Sequence, residues 1–246
     1  MTSDRSNLGN QALSKVAEIG ITSQLDTVEN IDVDIRTDPG KLIQGKVDSV
    51  VISGRGLVMK QDLRMENLTV SIDRVSIDPL RAILGNIELT HPSDAEALMV
   101  LTQADLNRAF SSDYMQAKLQ GLKIEMEGQP VTIDVHQVLL DLPGENKLVI
   151  AGDFKIRGET ELKKICATAI PEIEENGNRI ALEILAAEGQ GLKLRLVMAI
   201  FEQLIALLDM RNFNIPGMSF QLHKLEAQAG KLVIHAKVQV AQIPSM

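Results

Sequence analysis

The longest apolar block of the chain runs from Leu192 to Met210. Its polar residues Arg195, Glu202 and Asp209 recur every seven positions, so a helix places them on one narrow side. A helix that is apolar over most of its circumference must be covered from several directions. The block is interrupted too often by charge for a membrane span, which needs about 20 apolar residues. It therefore predicts a long buried helix at 192–210, and the rest of the chain must cover it.

Most of the remaining chain alternates apolar and polar residues with the period of a β-strand. The alternation changes phase twice between Leu63 and Ile77, which predicts bulges that bend the strand. The clearest alternation is in the last strand, whose apolar face holds Leu232, Ile234, Ala236, Val238 and Val240. The predicted fold class is α+β, with a long curved antiparallel β-sheet wrapped around the helix at 192–210.

Two shorter helices are predicted outside this sheet. Residues 8–25 carry apolar side chains at helical spacing, which predicts an N-terminal amphipathic helix. That helix either packs on the body or lies on a lipid surface, and its cancelling charges do not favour the second reading. The stretch 102–110 predicts a short helix, because Thr102 suits the N-cap and Asp105 suits the third helical position.

No linker divides the 246 residues of the chain. We therefore interpret residues 1–246 as one domain, in which residues 1–25 form an N-terminal helical segment and residues 28–246 form the curved sheet and its helix. This length is sufficient to bury a sizeable core. Because the chain has five Phe, one Tyr and no Trp, that core must be built from aliphatic side chains and Met.

The composition argues against a nucleic-acid partner. The formal net charge is −8, whereas nucleic-acid proteins normally present a basic field. Aromatic residues make up 2% of the chain, too few for base-stacking platforms. Cys166 is the single cysteine, so no intrachain disulfide points to an oxidising compartment. The first residues show no apolar signal segment, and the expected location is the cytoplasm, including the cytoplasmic face of a membrane.

The sequence contains no pattern typical of an enzyme or a metal site. The four histidines have no second histidine or cysteine at metal-ligand spacing. The glycine pairs Gly54/Gly56 and Gly189/Gly191 do not continue into a phosphate-binding loop, and no G-x-S-x-G elbow is present. We therefore predict no catalytic residues, no metal and no cofactor, and interpret the protein as non-enzymatic.

A local excess of basic residues stands out in this acidic chain between Gly40 and Arg64. The candidate membrane-contact residues in it are Lys41, Lys46, Arg55 and Lys60. They belong either to a solvated strand face or to a contact with lipid phosphates, where each basic residue contributes about 1 kcal/mol near an anionic leaflet.

Three pieces of sequence carry a resemblance to a known family. They are Ile77-Asp78-Pro79-Leu80, Gly85-x-Ile87-x-Leu89 and Leu101-Thr102-x-Ala104-Asp105-Leu106-Asn107. With them, the run from Gly45 to Phe110 resembles the LmeA-like phospholipid-binding family, of the type common in actinobacteria and cyanobacteria. The order of elements downstream is similar across most of the chain. The resemblance implies a tubular lipid-binding fold, in which a highly curved antiparallel sheet wraps a helix and leaves an apolar groove for acyl chains.

The implied groove lies between the curved sheet and the helix, so both supply candidate lipid-binding residues. On the helix these residues are Leu196, Val197, Ile200, Phe201, Leu204 and Leu208. On the strands they are Val70, Ile72, Ile133, Ile234 and Val238. Each of them is equally suited to pack in the hydrophobic core without contacting a lipid. If Ile200 lines the groove, Ile200→Trp blocks acyl-chain uptake and leaves the fold nearly intact.

The predicted function is a lipid-binding protein that holds phospholipid or other acyl chains in this groove, with transfer of lipid between membranes as a further step. Its partners are then an acyl lipid and, peripherally, a membrane surface. The alternative is a structural, self-associating protein of the same fold with a closed groove, in which apolar strand edges favour a homodimer. An enzyme that acts on lipid or isoprenoid substrates is the least favoured class.

Overall fold

The computed structural model describes the chain at residues 3–23, 25–59, 63–83, 89–126, 129–174, 177–189, 197–201, 203 and 218–241. Most of this structure is antiparallel β-sheet, and one sheet is curled into a half-barrel. In chain order the elements are α1 (Ser3–Thr22), β1 (Asn30–Arg36), α2 (Pro39–Ile43), β2 (Lys46–Met59), β3 (Leu63–Ser76), α3 (Pro79–Ile83), β4 (Ser93–Thr102), α4 (Gln103–Phe110), α5 (Asp113–Lys118), β5 (Leu122–Met126), β6 (Gln129–Gly144), β7 (Lys147–Ile156), β8 (Leu162–Ile173), β9 (Ile180–Gly189), β10 (Met218–Gln228) and β11 (Lys231–Val240).

The strands of the described ranges form two antiparallel sheets, where the sequence predicted one. The first sheet has the strand order β1-β2-β3-β4-β11-β10, and the second has the order β5-β6-β7-β8-β9. This division corrects the prediction of a single long sheet. Helices α4 and α5 interrupt the run of strands between β4 and β5, so the chain starts a new sheet after them. The C-terminal hairpin β10–β11 then returns to pair with β4 and completes the first sheet.

The predicted phase changes in β3 are present, but they are not bulges against β2. The pairing of β2 with β3 keeps one register along its whole length. Each of the two strands instead contains a residue with positive φ, 59° at Gly56 and 56° at Arg74. Where these residues lie, both strands change the face that they bury, so their apolar residues stay opposite each other. Register shifts occur in the β6–β7, β8–β9 and β10–β11 pairs.

Both predicted shorter helices are confirmed. The one at 102–110 is α4, in which the Thr102 hydroxyl accepts the Asp105 backbone N–H at 3.1 Å. The Asp105 carboxylate in turn accepts the Thr102 N–H at 3.0 Å. This reciprocal capping box satisfies N–H groups that the first turn of a helix leaves without an intrahelical acceptor. The N-terminal helix is α1, which begins before residue 8 and ends at Thr22.

The predicted long apolar helix is described over a short part of its length. Residues 197–201 and 203 are helical, and the rest of 192–210 lies outside the described residues. Val197, Ile200 and Phe201 are at most 1% exposed. They pack in the core of the second sheet, together with strand residues such as Phe154. The helix as a whole stays a prediction.

Helix α4 joins the two sheets, because it follows β4 of the first and bonds the edge of β6 in the second. The Asn107 side chain accepts the Leu140 N–H at 2.7 Å and donates to the Leu140 carbonyl at 2.8 Å. The Gln103 side chain accepts the Leu142 N–H at 2.8 Å. These bonds satisfy backbone groups that a bare strand edge leaves open. Leu106 of the same helix packs against the cores of both sheets.

Candidate functional site

The first sheet has one face that is apolar in every strand, as two rows of paired residues show. One row runs across the sheet through Val33, Ile52, Val70, Ala97, Ala236 and Leu222. The other row runs through Ile35, Val50, Ile72, Ala95, Val238 and Phe220. Between these rows, on the opposite face, lie polar residues such as Asp34, Ser71 and Lys237. We call the apolar side the inner face.

The inner face is half open in the middle and buried at several positions along both sides of the sheet, although Ile31 of β1 and Phe220 of β10 are half-buried. On β1, Val33 is 3% exposed, and on the opposite side Leu222 is 2% exposed. Between them, β2 and β3 present aliphatic side chains that are only half-buried. These residues, the central strip, are Val50, Ile52, Leu68, Val70 and Ile72. Such contiguous aliphatic surface on one face of a sheet is suited to an apolar ligand.

The structure separates the predicted lipid-binding residues into two groups. On the inner face of the first sheet are Val70 and Ile72, in the central strip, and Ile234 and Val238, in its buried part. The second group lies fully buried in the core of the second sheet and consists of Ile133, Val197, Ile200 and Phe201. Outside the described residues are Leu196, Leu204 and Leu208. Helix and strand residues that were predicted to line one groove therefore belong to different cores.

Three residues of the central strip, Val50, Ile52 and Leu68, were not among the predicted lining residues. The signal for them was present, because they share the even-numbered phase of Val70 and Ile72. Sequence alone did not pair β2 with β3. Once Val50 lies opposite Ile72 and Ile52 opposite Val70, the shared phase places all five side chains on one face.

Two of the predicted membrane-contact residues, Lys41 of α2 and Arg55 of β2, lie beside carboxylates. The Lys41 ammonium is 2.7 Å from the Asp48 carboxylate. The Arg55 guanidinium is 3.4 Å from the Glu66 carboxylate. The remaining predicted contact residues are Lys46, which is exposed, and Lys60, which lies outside the described residues. Because acidic partners offset Lys41 and Arg55, the positive field of this region is weaker than a count of its basic residues suggests.

A partly buried ion-pair network fastens β3 to α4 and to the chain before β1. Arg64 of β3 donates to Asp105 of α4 at 2.9 Å, to Glu66 at 2.8 Å and to Glu29 at 2.7 Å. These carboxylates, Glu29 foremost, hold the pKa of the Arg64 guanidinium above its ordinary value. Asp105 is 4% exposed, so its charge depends on these partners. The network is therefore part of the architecture around the inner face.

The Asp105 carboxyl makes the fold sensitive to acid. Burial by itself raises its pKa, but hydrogen bonds from Thr102 and Arg64 outweigh burial and hold that pKa below the ordinary 3.8. The stabilisation is therefore fully present above pH 3.8 and is lost as the pH falls through the lower folded-state pKa. We expect Asp105→Asn to cost about 2 kcal/mol at neutral pH and less at pH 3. Urea unfolding of both chains at the two pH values measures this, and an equal cost at both would contradict it.

The described ranges contain neither a helix that could span a membrane nor a cluster of metal ligands. None of the helices there has the length and apolar character that crossing a membrane requires. In the same ranges, no three His, Cys, Asp or Glu side chains are grouped as ligands for a metal ion. Two surface depressions lie between α1 and β1 and between β8 and β10, and neither is lined by the central strip. The inner face is therefore the feature on which a functional argument rests.

The fold and the inner face together define a class of protein, one whose curled antiparallel sheet presents a half-open apolar surface. The model of the LmeA-like phospholipid-binding family matches residues 5–237. The chain belongs to this family, which confirms the resemblance in its motifs. The family is a lipid-binding family rather than an enzyme family. No curated protein and no solved structure matches the chain.

Proposed function

We propose that this protein is a non-enzymatic phospholipid-binding protein whose acyl-chain groove has the central strip as its floor. The observation that carries the proposal is the strip of five neighbouring, half-buried aliphatic side chains in the middle of the inner face. Family membership supplies the ligand class. The helical residues Val197, Ile200 and Phe201 are buried in the other core, so we place the acyl chain on the first sheet.

The energy available on such a floor is sufficient for binding. Each methylene group removed from water contributes about 0.8 kcal/mol, so a segment of about ten contributes about 8 kcal/mol. The cost of ordering the lipid and of losing its free motion reduces this figure. An acyl chain that covers the five side chains of the strip also removes their own apolar surface from water.

We further propose that the protein carries phospholipid between membranes and works as a peripheral protein in the cytoplasm, on the cytoplasmic face of a membrane. The single cysteine supports a reducing compartment. Exposed Lys46 is the membrane-contact candidate with the clearest access to an anionic surface. Cell fractionation of the tagged protein tests this location, and recovery outside the cytoplasm would contradict it.

Bound lipid is the direct test. We expect phospholipid to co-purify with the protein, where extraction and mass spectrometry identify it, and labelled phospholipid to exchange between vesicles. Ile72→Trp fills the end of the strip beside Val50 and should reduce bound phospholipid about tenfold, equivalent to about 1.4 kcal/mol. Ser71→Trp is the matched control, because Ser71 directly precedes Ile72 in β3 and is exposed on the opposite face of the sheet. It should bind lipid as the wild-type chain does.

Two outcomes would contradict the proposal. If no lipid co-purifies and no phospholipid exchanges, the protein is not a carrier, and a self-associating protein with a closed groove becomes the better interpretation. If Ile72→Trp and Ser71→Trp bind equal amounts of lipid, the protein binds lipid at a place other than the central strip.

A further inference from the structure

Helix α1 lies along the free edge of β1 and is fastened there by polar side chains one helical turn apart. The Asn10 side chain donates to the Thr37 carbonyl at 3.1 Å. The Ser14 hydroxyl oxygen accepts the Ile35 N–H at 3.2 Å. These bonds give the edge strand partners that a neighbouring strand would otherwise supply.

Glu18 lies one helical turn further on, and the pKa of its carboxyl is lowered from its ordinary value chiefly by Lys15 and, to a smaller extent, by the nearby Val33 backbone N–H. The helix contributes every fourth residue and the strand every second residue. Four helical residues rise about 6.0 Å, and two strand residues rise about 6.6 Å. The two repeats match closely, so the bonds of Asn10 and Ser14 lie on one line along the edge of β1. Such a line can act as a hinge.

The apolar stripe of α1 borders the central strip. Leu13, Ala17 and Ile21 recur every four residues and pack on the cluster that contains Val33 and Ile35. Three residues of the central strip pack on the same cluster. Val33 and Ile35 also lie opposite strip residues in the pairing of β1 with β2. The stripe and an acyl chain on the strip would therefore meet at the same apolar boundary.

Helix α1 is held less firmly than the strands beneath it. None of its side chains described at residues 9–22 is buried, and Ile19 is 56% exposed. Among the described elements, β1 is the one that α1 packs on extensively. A surface depression lined in part by Thr22 and Ile31 separates the end of the helix from β1. Elements with few buried contacts are those that open at the lowest free energy.

We infer that α1 is a flap, hinged on the β1 edge, that swings off the inner face when the acyl chain of a phospholipid enters the central strip. The inference rests on the proposed function. In the closed state, Leu13, Ala17 and Ile21 cover the β1 side of the inner face. In the open state, the acyl chain covers that side instead, and the bonds along β1 guide the return of the helix.

A thiol on the apolar stripe reports flap opening directly. Ala17→Cys, combined with Cys166→Ala to remove the native thiol, should react slowly with a maleimide when the flap is closed. Vesicles of phosphatidylglycerol and phosphatidylcholine should raise the labelling rate about tenfold, equivalent to about 1.4 kcal/mol in the opening equilibrium. The control is the wild-type chain, whose single thiol is Cys166. This residue lies on the second sheet, between Ala151 and Glu188 of the neighbouring strands. Its labelling rate should not change.

Loss of the bonds that fasten α1 should let the helix leave the β1 edge altogether, even without lipid. Asn10→Ala with Ser14→Ala removes two bonds to β1 and leaves the apolar stripe unchanged. We expect faster labelling of the A17C thiol in the absence of vesicles and faster uptake of labelled phospholipid. Gln120→Ala is the matched control, because it removes a 2.8 Å bond from a side-chain amide to the Val135 carbonyl in the second sheet. It should alter neither rate.

The outcomes separate the flap from the lipid-binding function. If the protein binds phospholipid while the A17C labelling rate stays the same, lipid enters without moving α1 and the flap is wrong. An uptake rate that is unchanged by the hinge variant also overturns it. If the wild-type chain binds no phospholipid in any assay, the proposed function fails and the flap fails with it.

Discussion

Replacement of Ile200 by tryptophan is expected to lower the free energy of unfolding by about 3 kcal/mol. Ile200 is 0% exposed and packs in the core of the second sheet. Protein interiors are close-packed, so the larger side chain must displace its neighbours. Urea unfolding followed by circular dichroism measures the change. The expectation from sequence, in which Ile200→Trp blocks acyl-chain uptake in a nearly intact fold, is revised by this burial.

The same substitution at Ile72 is the control for this prediction. Ile72 is half-buried on the central strip, so Ile72→Trp should change stability by less than about 1 kcal/mol while it reduces bound lipid. The two tryptophans are therefore expected to separate stability from ligand binding. An Ile200→Trp chain that is as stable as wild type but binds no lipid would show that Ile200 lines the groove after all.

Replacement of Asn107 by alanine is expected to lower the free energy of unfolding by about 3 kcal/mol. Its side chain makes two hydrogen bonds with the backbone of Leu140, at 2.7 and 2.8 Å. Leu140 is 8% exposed, so water replaces these bonds poorly once they are lost. Urea unfolding gives the overall change, and hydrogen exchange at the Leu140 amide gives the local one.

The control for Asn107 is Asn67→Ala, at an exposed position of β3. It should change stability by less than about 0.5 kcal/mol and leave exchange at Leu140 as it is. If Asn107→Ala is equally mild, the bonds between α4 and β6 do not hold the two sheets together. Exchange that stays slow at Leu140 in the Asn107→Ala chain would lead to the same conclusion.

One of the three motifs that carry the family resemblance, Leu101-Thr102-x-Ala104-Asp105-Leu106-Asn107, has a structural explanation. Thr102 and Asp105 cap α4, Asp105 binds Arg64 of the first sheet, and Asn107 binds the edge of the second sheet. Leu106 packs against both cores. Thr102, Asp105, Leu106 and Asn107 of the motif therefore serve the joint between the sheets. None of these contacts requires a ligand, so the motif identifies the fold of the family rather than a binding site.

Local patterns in the sequence predicted the elements whose cause is local. The cap and third-position residues of α4 are three positions apart, and their bonds form within one helical turn. The alternation in β11 predicted its buried face, because successive side chains of a strand point to opposite sides. The helical spacing of residues 8–25 predicted α1, whose boundaries then shifted by several residues.

The number of basic residues in a stretch of sequence did not predict the electrostatic field at the protein surface. The basic residues between Gly40 and Arg64 are close in sequence, but Arg64 is paired with Glu29 and Asp105, which lie far from it along the chain. A window of sequence contains no information about such partners. The field at a surface depends on distances between charges in space.

The sequence by itself determined the antiparallel strands, the capped helix α4, the aliphatic core and membership of a phospholipid-binding family. Tertiary structure alone decided that there are two sheets, that Val197, Ile200 and Phe201 lie in one core, and that the half-open strip belongs to the other. The physical reason is that apolar periodicity shows which side of an element avoids water. It does not show whether a neighbouring strand, a helix or a lipid covers that side, because this depends on contacts between residues far apart in the chain.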